Sequence, residues 1–218
     1  MSNNQTNSEI YQTIKQEGKD GFTVSRSRFI GHCKPVTSED EAISFLEKIR
    51  KEHWDANHNV WAYVIGKTKE RYNDDGEPQG TAGIPVLEVI RKEGLRDVIL
   101  VVTRYFGGTK LGAGGLVRAY TQGTKIALDA GIIIQRRPYL SFEITTEYQL
   151  SGKLQREFDK RGYIKREILY LENVTQKILI PPDEKESLIT LTAELTSGKG
   201  KLSQGENEYM DFQSTPSN

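Results

Sequence analysis

Val98-Ile99-Leu100-Val101-Val102-Thr103-Arg104-Tyr105-Phe106-Gly107-Gly108-Thr109-Lys110-Leu111-Gly112-Ala113-Gly114-Gly115-Leu116-Val117-Arg118 reads as a buried strand, a glycine-rich loop and the start of a helix. The apolar run fits a strand over Val98 to Arg104. Ala113 to Ala130 carries helical spacing and is closed by Gly131. From Val98 through Leu128 there is no Asp or Glu, yet the stretch holds Arg104, Lys110, Arg118 and Lys125. Glycines before a helix let backbone approach a ligand, and the helix start adds free N–H groups and a positive dipole end. That combination suits an anion, most simply a phosphate. Gly107, Gly108, Gly112, Gly114 and Gly115 would admit the backbone, with Arg104, Lys110 and Arg118 as phosphate contacts. The same pattern also suits tight helix–sheet packing beside a solvated basic face, and the sequence leaves both readings open.

Two nucleotide motifs are excluded. Gly107 and Gly112 have Walker A spacing, but Ala113 and Gly114 stand where Lys and Ser/Thr belong. The dinucleotide fingerprint needs an acid ending a second strand, and Asp129 lies on the same predicted helix.

The flanking sequence builds outward from this unit. Residues up to about Val36 read as strands. Ser38-Glu39-Asp40-Glu41 is a capping-box pattern, and Ala42, Phe45, Leu46 and Ile49 then share one helix face. Val60 to Ile65 reads as a strand, Lys67 to Gly80 as a polar loop, and Thr81 to Glu93 as a helix ended by Gly94. Beyond Pro138 the order is strand (Leu140, Phe142, Ile144), helix (Leu150, Leu154, Phe158) and two strands, Tyr163 to Leu171 and Val174 to Ile180. A helix (Leu188, Leu191, Leu195) and a last strand within Gln204 to Phe212 complete it. That βαββαβ order is ferredoxin-like.

Charge changes at the same point. Residues 1–137 hold 20 basic and 17 acidic residues, whereas residues 138–218 hold 10 and 13. The expected division is therefore a first domain over 1–137, a ferredoxin-like second domain over 138–213, a short linker near Pro138, and a disordered tail over 214–218. The overall class is α/β (α+β).

The remaining chemistry is sparse. Asp74-Asp75-Gly76-Glu77 lacks the spacing of a calcium loop and reads as a turn. Its expected place is beside the glycine loop, orienting Arg104 or Lys110 by charge, with His58 as a further supporting residue. His53 and His58 are five apart, unlike metal-binding pairs at i, i+4, and no His-Glu-x-x-His or Gly-x-Ser-x-Gly run occurs. No catalytic residue, metal or cofactor is proposed from these patterns. Of Trp54, Trp61, Tyr63, Tyr105 and Phe106, core packing suits most, and Tyr105 is the best placed to stack on a base. The single cysteine, Cys33, the lack of a signal peptide and the lack of any membrane-length apolar run point to a cytoplasmic protein with no membrane contact.

Ser27-Arg28-Phe29-Ile30, His58-Asn59 with Trp61-Ala62-Tyr63, Asp74-Asp75-Gly76-Glu77-Pro78 with Gly80-Thr81-Ala82-Gly83 and Pro85, and Val102 through Arg118 form one ordered series. This series resembles the IMPACT/YigZ family. The resemblance implies a first domain like domain IV of elongation factor G and the second domain of a small-subunit ribosomal protein. It implies a second domain like domain V of that factor. Eukaryotic members resemble regulators of translation that act through a protein partner. Val60 stands where many relatives carry cysteine, which counts against a mechanism needing a thiol there.

The resulting expectation is a cytoplasmic protein that binds RNA or the ribosome and modulates translation without catalysis. One alternative is a protein-interaction module without nucleic acid. Another is an enzyme acting on a nucleotide or phosphorylated substrate.

Overall fold

The computed structural model describes residues 9–213. The expected tail, 214–218, and residues 1–8 lie outside them. The chain is mixed α and β, and it divides into two compact units. One comprises Tyr11–Arg136 with residues 211–213, and the other Arg137–Met210 with residues 9–10.

The first unit runs β1 (Tyr11–Ile14), β2 (Gly18–Val24), β3 (Ser27–Pro35), α1 (Glu39–Glu52), β4 (His58–Ile65), β5 (Lys69–Asn73), α2 (Gly83–Lys92), β6 (Val98–Tyr105) and α3 (Gly112–Gly131). Its main sheet has the order β2-β3-β6-β4-β5, with every pairing antiparallel. The central strand β6 is covered on both faces, which is why its apolar run is continuous rather than alternating. Val98, Leu100 and Val102 join a core with α2 and α3, while Ile99 and Val101 join a core with Phe45, Leu46 and Ile49 of α1. Helix α3 lies very close to β3: a Cβ on Gly31 would stand 1.9 Å from the carbonyl oxygen of Gly123.

The capping pattern before α1 is realised. Ser38 Oγ accepts from the Glu41 N–H at 3.2 Å, and Glu41 Oε2 accepts from the Thr37 N–H at 2.7 Å. Ser38→Ala should therefore cost about 1 kcal/mol. A urea titration of both proteins checks this, and an unchanged midpoint would show that α1 is held by its apolar face alone.

Three local expectations are corrected. The loop expected over Lys67 to Gly80 contains β5, an edge strand paired only with β4 and exposed along its length, so it carries no apolar alternation. Helix α2 starts at Gly83 rather than Thr81, because the Asp74 carboxylate caps it from upstream. There is no linker at Pro138. Strand β7 (Ile133–Thr146) runs through it, and Pro138 falls between the residues paired with β1 (Ile133 to Arg136) and those paired with β9 (Leu140 to Thr146).

The second unit follows with α4 (Tyr148–Lys160), β8 (Ile164–Tyr170), β9 (Val174–Ile180), a 3-10 turn, α5 (Lys185–Thr196) and β10 (Lys201–Gln204), and β11 (Glu208–Gln213) begins in it and ends in residues 211–213 of the first. Strands β10, β7, β9 and β8 lie in that order, antiparallel throughout, with α4 and α5 supplying Leu154, Phe158, Leu188 and Leu191 to one core. This is the ferredoxin-like arrangement of a βαββαβ chain. The strand that closes the ferredoxin-like order is β10 (Lys201–Gln204), and the strand expected within Gln204 to Phe212 is β11 (Glu208–Gln213), a separate strand that also pairs with β7.

Candidate nucleic-acid interface

Strand β6 alternates, so Arg104 falls on the same side as Val98, Leu100 and Val102, facing the core under α2 and α3. A guanidinium there needs a buried partner. Glu77 supplies it. Arg104 Nη1 donates to Glu77 Oε1 at 2.6 Å, and the two side chains are 6% and 3% exposed. The Tyr120 hydroxyl of α3 donates to the same oxygen at 2.7 Å. Burial, and then the Glu77 charge, push the Tyr120 hydroxyl well above the usual phenol range, so it remains a donor. Arg104 Nη2 reaches Ser27 Oγ at 3.5 Å, whereas its Nε is buried without a partner. Its guanidinium carbon lies 5.5 Å from the ring centroid of Phe29 and 5.4 Å from that of Phe106.

The acidic run is a set of three separate anchors. Asp74 accepts from the N–H groups of Gly80, Ala82 and Gly83 at 2.8–3.2 Å, holding the start of α2. Asp75 accepts from the Asn59 N–H at 2.6 Å and pairs with Arg50 of α1 at 3.4 Å. Its carbonyl accepts from His58 Nδ1 at 2.7 Å, which leaves His58 Nε2 3.9 Å from Glu77 Oε1. The Glu77 N–H closes the turn on the Asp74 carbonyl at 3.0 Å. These bonds fix Glu77 beside Arg104. Among the described residues no group of three or more His, Cys, Asp or Glu gathers as a metal site.

The glycine loop is built from close approach and unusual backbone. A Cβ on Gly107 would stand 1.9 Å from the Arg26 carbonyl oxygen, and the Gly107 N–H points to Ser27 Oγ at 3.3 Å. Gly108 and Gly112 adopt φ of +83° and +69°, the left-handed region that glycine enters at least cost. Gly114 and Gly115 lie in the first turn of α3, for which Leu111 offers no side-chain cap. Between this loop and Glu77 lies a cavity of about 370 Å³, walled by Pro78, Phe106, Leu111, Ala113 and Leu116. Arg104, Glu77 and Lys110 also line it.

The structure thus separates residues that the sequence grouped. Arg104 is inside the cavity wall, already paired with Glu77. Lys110 lines the cavity. Arg118 is not among the lining residues, and its Nη1 lies 3.8 Å from a Cβ position on Gly114. A single anion cradle closed by all three is not formed. Tyr105 also leaves the group: its hydroxyl donates to Asp55 at 3.2 Å and contacts His53 Nδ1 at 2.9 Å. Burial and then the Asp55 hydrogen bond raise its pKa. Phe106, 44% exposed, is the aromatic wall of the cavity. Trp54, grouped with the aromatics suited to core packing, is 83% exposed. Arg26 was missed. It sits exposed on the β2–β3 turn at φ +65°, with its carbonyl against Gly107. The strained Ser25-Arg26 pair has no glycine to announce a turn.

Residues 25–128 match the model of the Impact N-terminal domain, and residues 144–199 match a domain of unknown function, DUF1949. The IMPACT family member YvyE of Bacillus subtilis (strain 168) is 41% identical over 203 residues, covering 92% of this chain and 94% of that one. A Dictyostelium discoideum protein named Protein IMPACT homolog is 36% identical over 96 residues, covering 41% of this chain and 27% of its own. A solved structure described as that of an hypothetical protein superposes with a TM-score of 0.59 at 28% identity, covering 89% of this chain and 96% of that one.

Proposed function

The chain belongs to the IMPACT family, and from that premise we propose that it binds RNA or ribosomal particles through the glycine-loop face of its first unit and modulates translation without catalysis. One observation carries the reading. Arg26, Lys110 and Arg118 border the same loop, and among the described residues none of the three makes an ion pair. In this chain 30 basic and 30 acidic residues balance, so cations without acids on an acid-free stretch are a local departure. Cations left unneutralised beside an uncapped helix start suit a polyanion. Arg104 is not counted among the contacts, because Glu77 already satisfies its charge.

Binding to structured RNA or isolated ribosomal subunits should weaken with salt. Three phosphate contacts imply a log–log slope of roughly −2 to −3. Lys110→Ala should reduce the slope by about one unit and leave the unfolding midpoint unchanged, since exposed charges contribute little to stability. A salt-independent affinity would sink this reading. ATP turnover abolished by Lys110→Ala would replace it with the enzyme alternative.

A second reading has one observation in its favour. A groove of about 360 Å³ between α2 and α3 is lined by Ile84 and Val117, which are 39% and 38% exposed. Apolar side chains open on neighbouring helices suit a protein partner in translation control. Retention of a protein by this chain with no affinity for RNA would favour it. No helix among the described residues is long and apolar enough to cross a membrane.

A further inference from the structure

We infer that the cavity beside Phe106 takes one unstacked base of a single-stranded RNA, with that nucleotide's phosphate at Lys110 and the start of α3. The inference rests on the RNA reading above and names what the site selects.

The cavity has two chemistries. Its walls are apolar, and the exposed Phe106 ring offers a flat face. Lys110 and the uncapped N–H groups of α3 bring positive charge to the same space. A flat apolar ring carrying an anion matches that pairing, and a nucleotide is such a group. The interior adds an independent sign of a built site. Arg104 is 5% exposed, lines the cavity, and holds the Glu77 carboxylate in its wall. Glu77, beside it, takes its bonds from Arg104 and Tyr120 on one oxygen, Oε1. Those bonds leave Glu77 Oε2 over, so an acceptor stands in an apolar recess where the donor edge of a base can meet it.

Two arguments select a strand over other nucleotide sources. In a duplex the base faces are covered by their neighbours, so only a splayed base can enter a concave site. A free mononucleotide would use Lys110 but not the cations beyond the cavity. Arg26 on the β2–β3 turn and Arg118 along α3 flank the loop outside it, where the preceding and following phosphates of a strand would run.

The test uses the full chain and a single-stranded oligoribonucleotide with a central 2-aminopurine, against a duplex of the same length. The single strand should bind more tightly, and stacking should quench the probe. Phe106→Leu should weaken single-strand binding roughly tenfold, within the range for loss of one base–aromatic stack, and remove the quenching. Phe106→Tyr should restore both. The salt slope should be the same in all three proteins, because none of the phosphate contacts changes. Equal affinity for duplex and single strand, or a Phe106→Leu protein that binds and quenches normally, overturns the inference while leaving the RNA reading standing. A mononucleotide that competes as well as the strand also overturns it, in favour of a free nucleotide. No binding of either RNA overturns both.

Discussion

Glu77→Ala should remove about 3–5 kcal/mol from the stability of the protein, the range for breaking a buried ion pair from one side. The cost comes from what is left behind. Arg104 would keep its charge at 5% exposure with no carboxylate, and the Tyr120 hydroxyl would lose its acceptor. Nearby groups offer little compensation, since Ser27 Oγ is already 3.5 Å from Arg104 Nη2. The loss is a large share of a typical domain's net stability. Glu77→Gln separates charge from hydrogen bonding: it keeps an oxygen for Tyr120 and Arg104 but not the negative charge, so it should fall between wild type and Glu77→Ala. A double replacement, Glu77→Leu with Arg104→Met, should be less damaging than Glu77→Ala alone, because no uncompensated charge remains. Urea unfolding of the four proteins decides it. If Glu77→Ala lost under about 1 kcal/mol, the pair would not be buried in solution as described.

How far this site could be read from the chain follows from the range of the interactions that make it. Strand β6 and helix α3 announce themselves through local periodicity, and they fall within a residue or two of the expected limits. The period-2 pattern also carries a signal for Arg104. Arg104 continues the 98–100–102 face, so it points into the core and requires an acid. The Asp74-Asp75-Gly76-Glu77 turn supplies it at that end of the sheet, whereas Asp55 at the same end bonds Tyr105. Which carboxylate does so was not readable, because Asp74 and Asp75 are used by backbone N–H groups of α2 and β4 that come together only in the fold. The same alternation distinguishes Phe106 from Tyr105: Phe106 shares the face of Arg104 and lines the cavity, whereas Tyr105 turns to His53 and Asp55. Strand β5 could not be recognised from apolar spacing, since an exposed edge strand has no buried face to record. Arg26 is brought to the glycine loop by the β2–β3 register, which two non-glycine residues at positive φ conceal.

Acid should destabilise the protein through a residue that the functional readings leave unused. His32 on β3 is 2% exposed, and its Nε2 has no hydrogen-bond partner. Its ring lies 5.1 Å from that of His53, and Lys19, Lys48 and Glu52 face the same pocket. Burial first, and then the His53 and Lys19 charges, lower the His32 pKa to about 4, while Glu52 opposes them. His53 is also lowered, chiefly by burial. An unfolded chain takes up a proton on His32 near pH 6.5, but the folded protein resists it until about pH 4. The stabilisation from a neutral His32 is therefore fully present above pH 6.5 and is lost as pH falls between those values. The slope is about 1.4 kcal/mol per pH unit for one proton, giving about 3 kcal/mol across the window. Carboxylates such as Glu17 and Glu52, whose pKa values are held down by lysines, lose their own contribution at the acid end, so wild-type pH dependence alone cannot isolate the histidine. His32→Asn can, because asparagine does not titrate. At pH 7 the variant should be less stable than wild type through lost packing. By pH 4.5 that gap should shrink by about 2–3 kcal/mol, because only wild type bears the cost of keeping a buried imidazole neutral. Urea midpoints at pH 7, 5.5 and 4.5 measure the gap directly. A gap that stays constant with pH would mean that His32 titrates alike in the folded and unfolded chains, and that its pocket admits the proton that its burial should exclude.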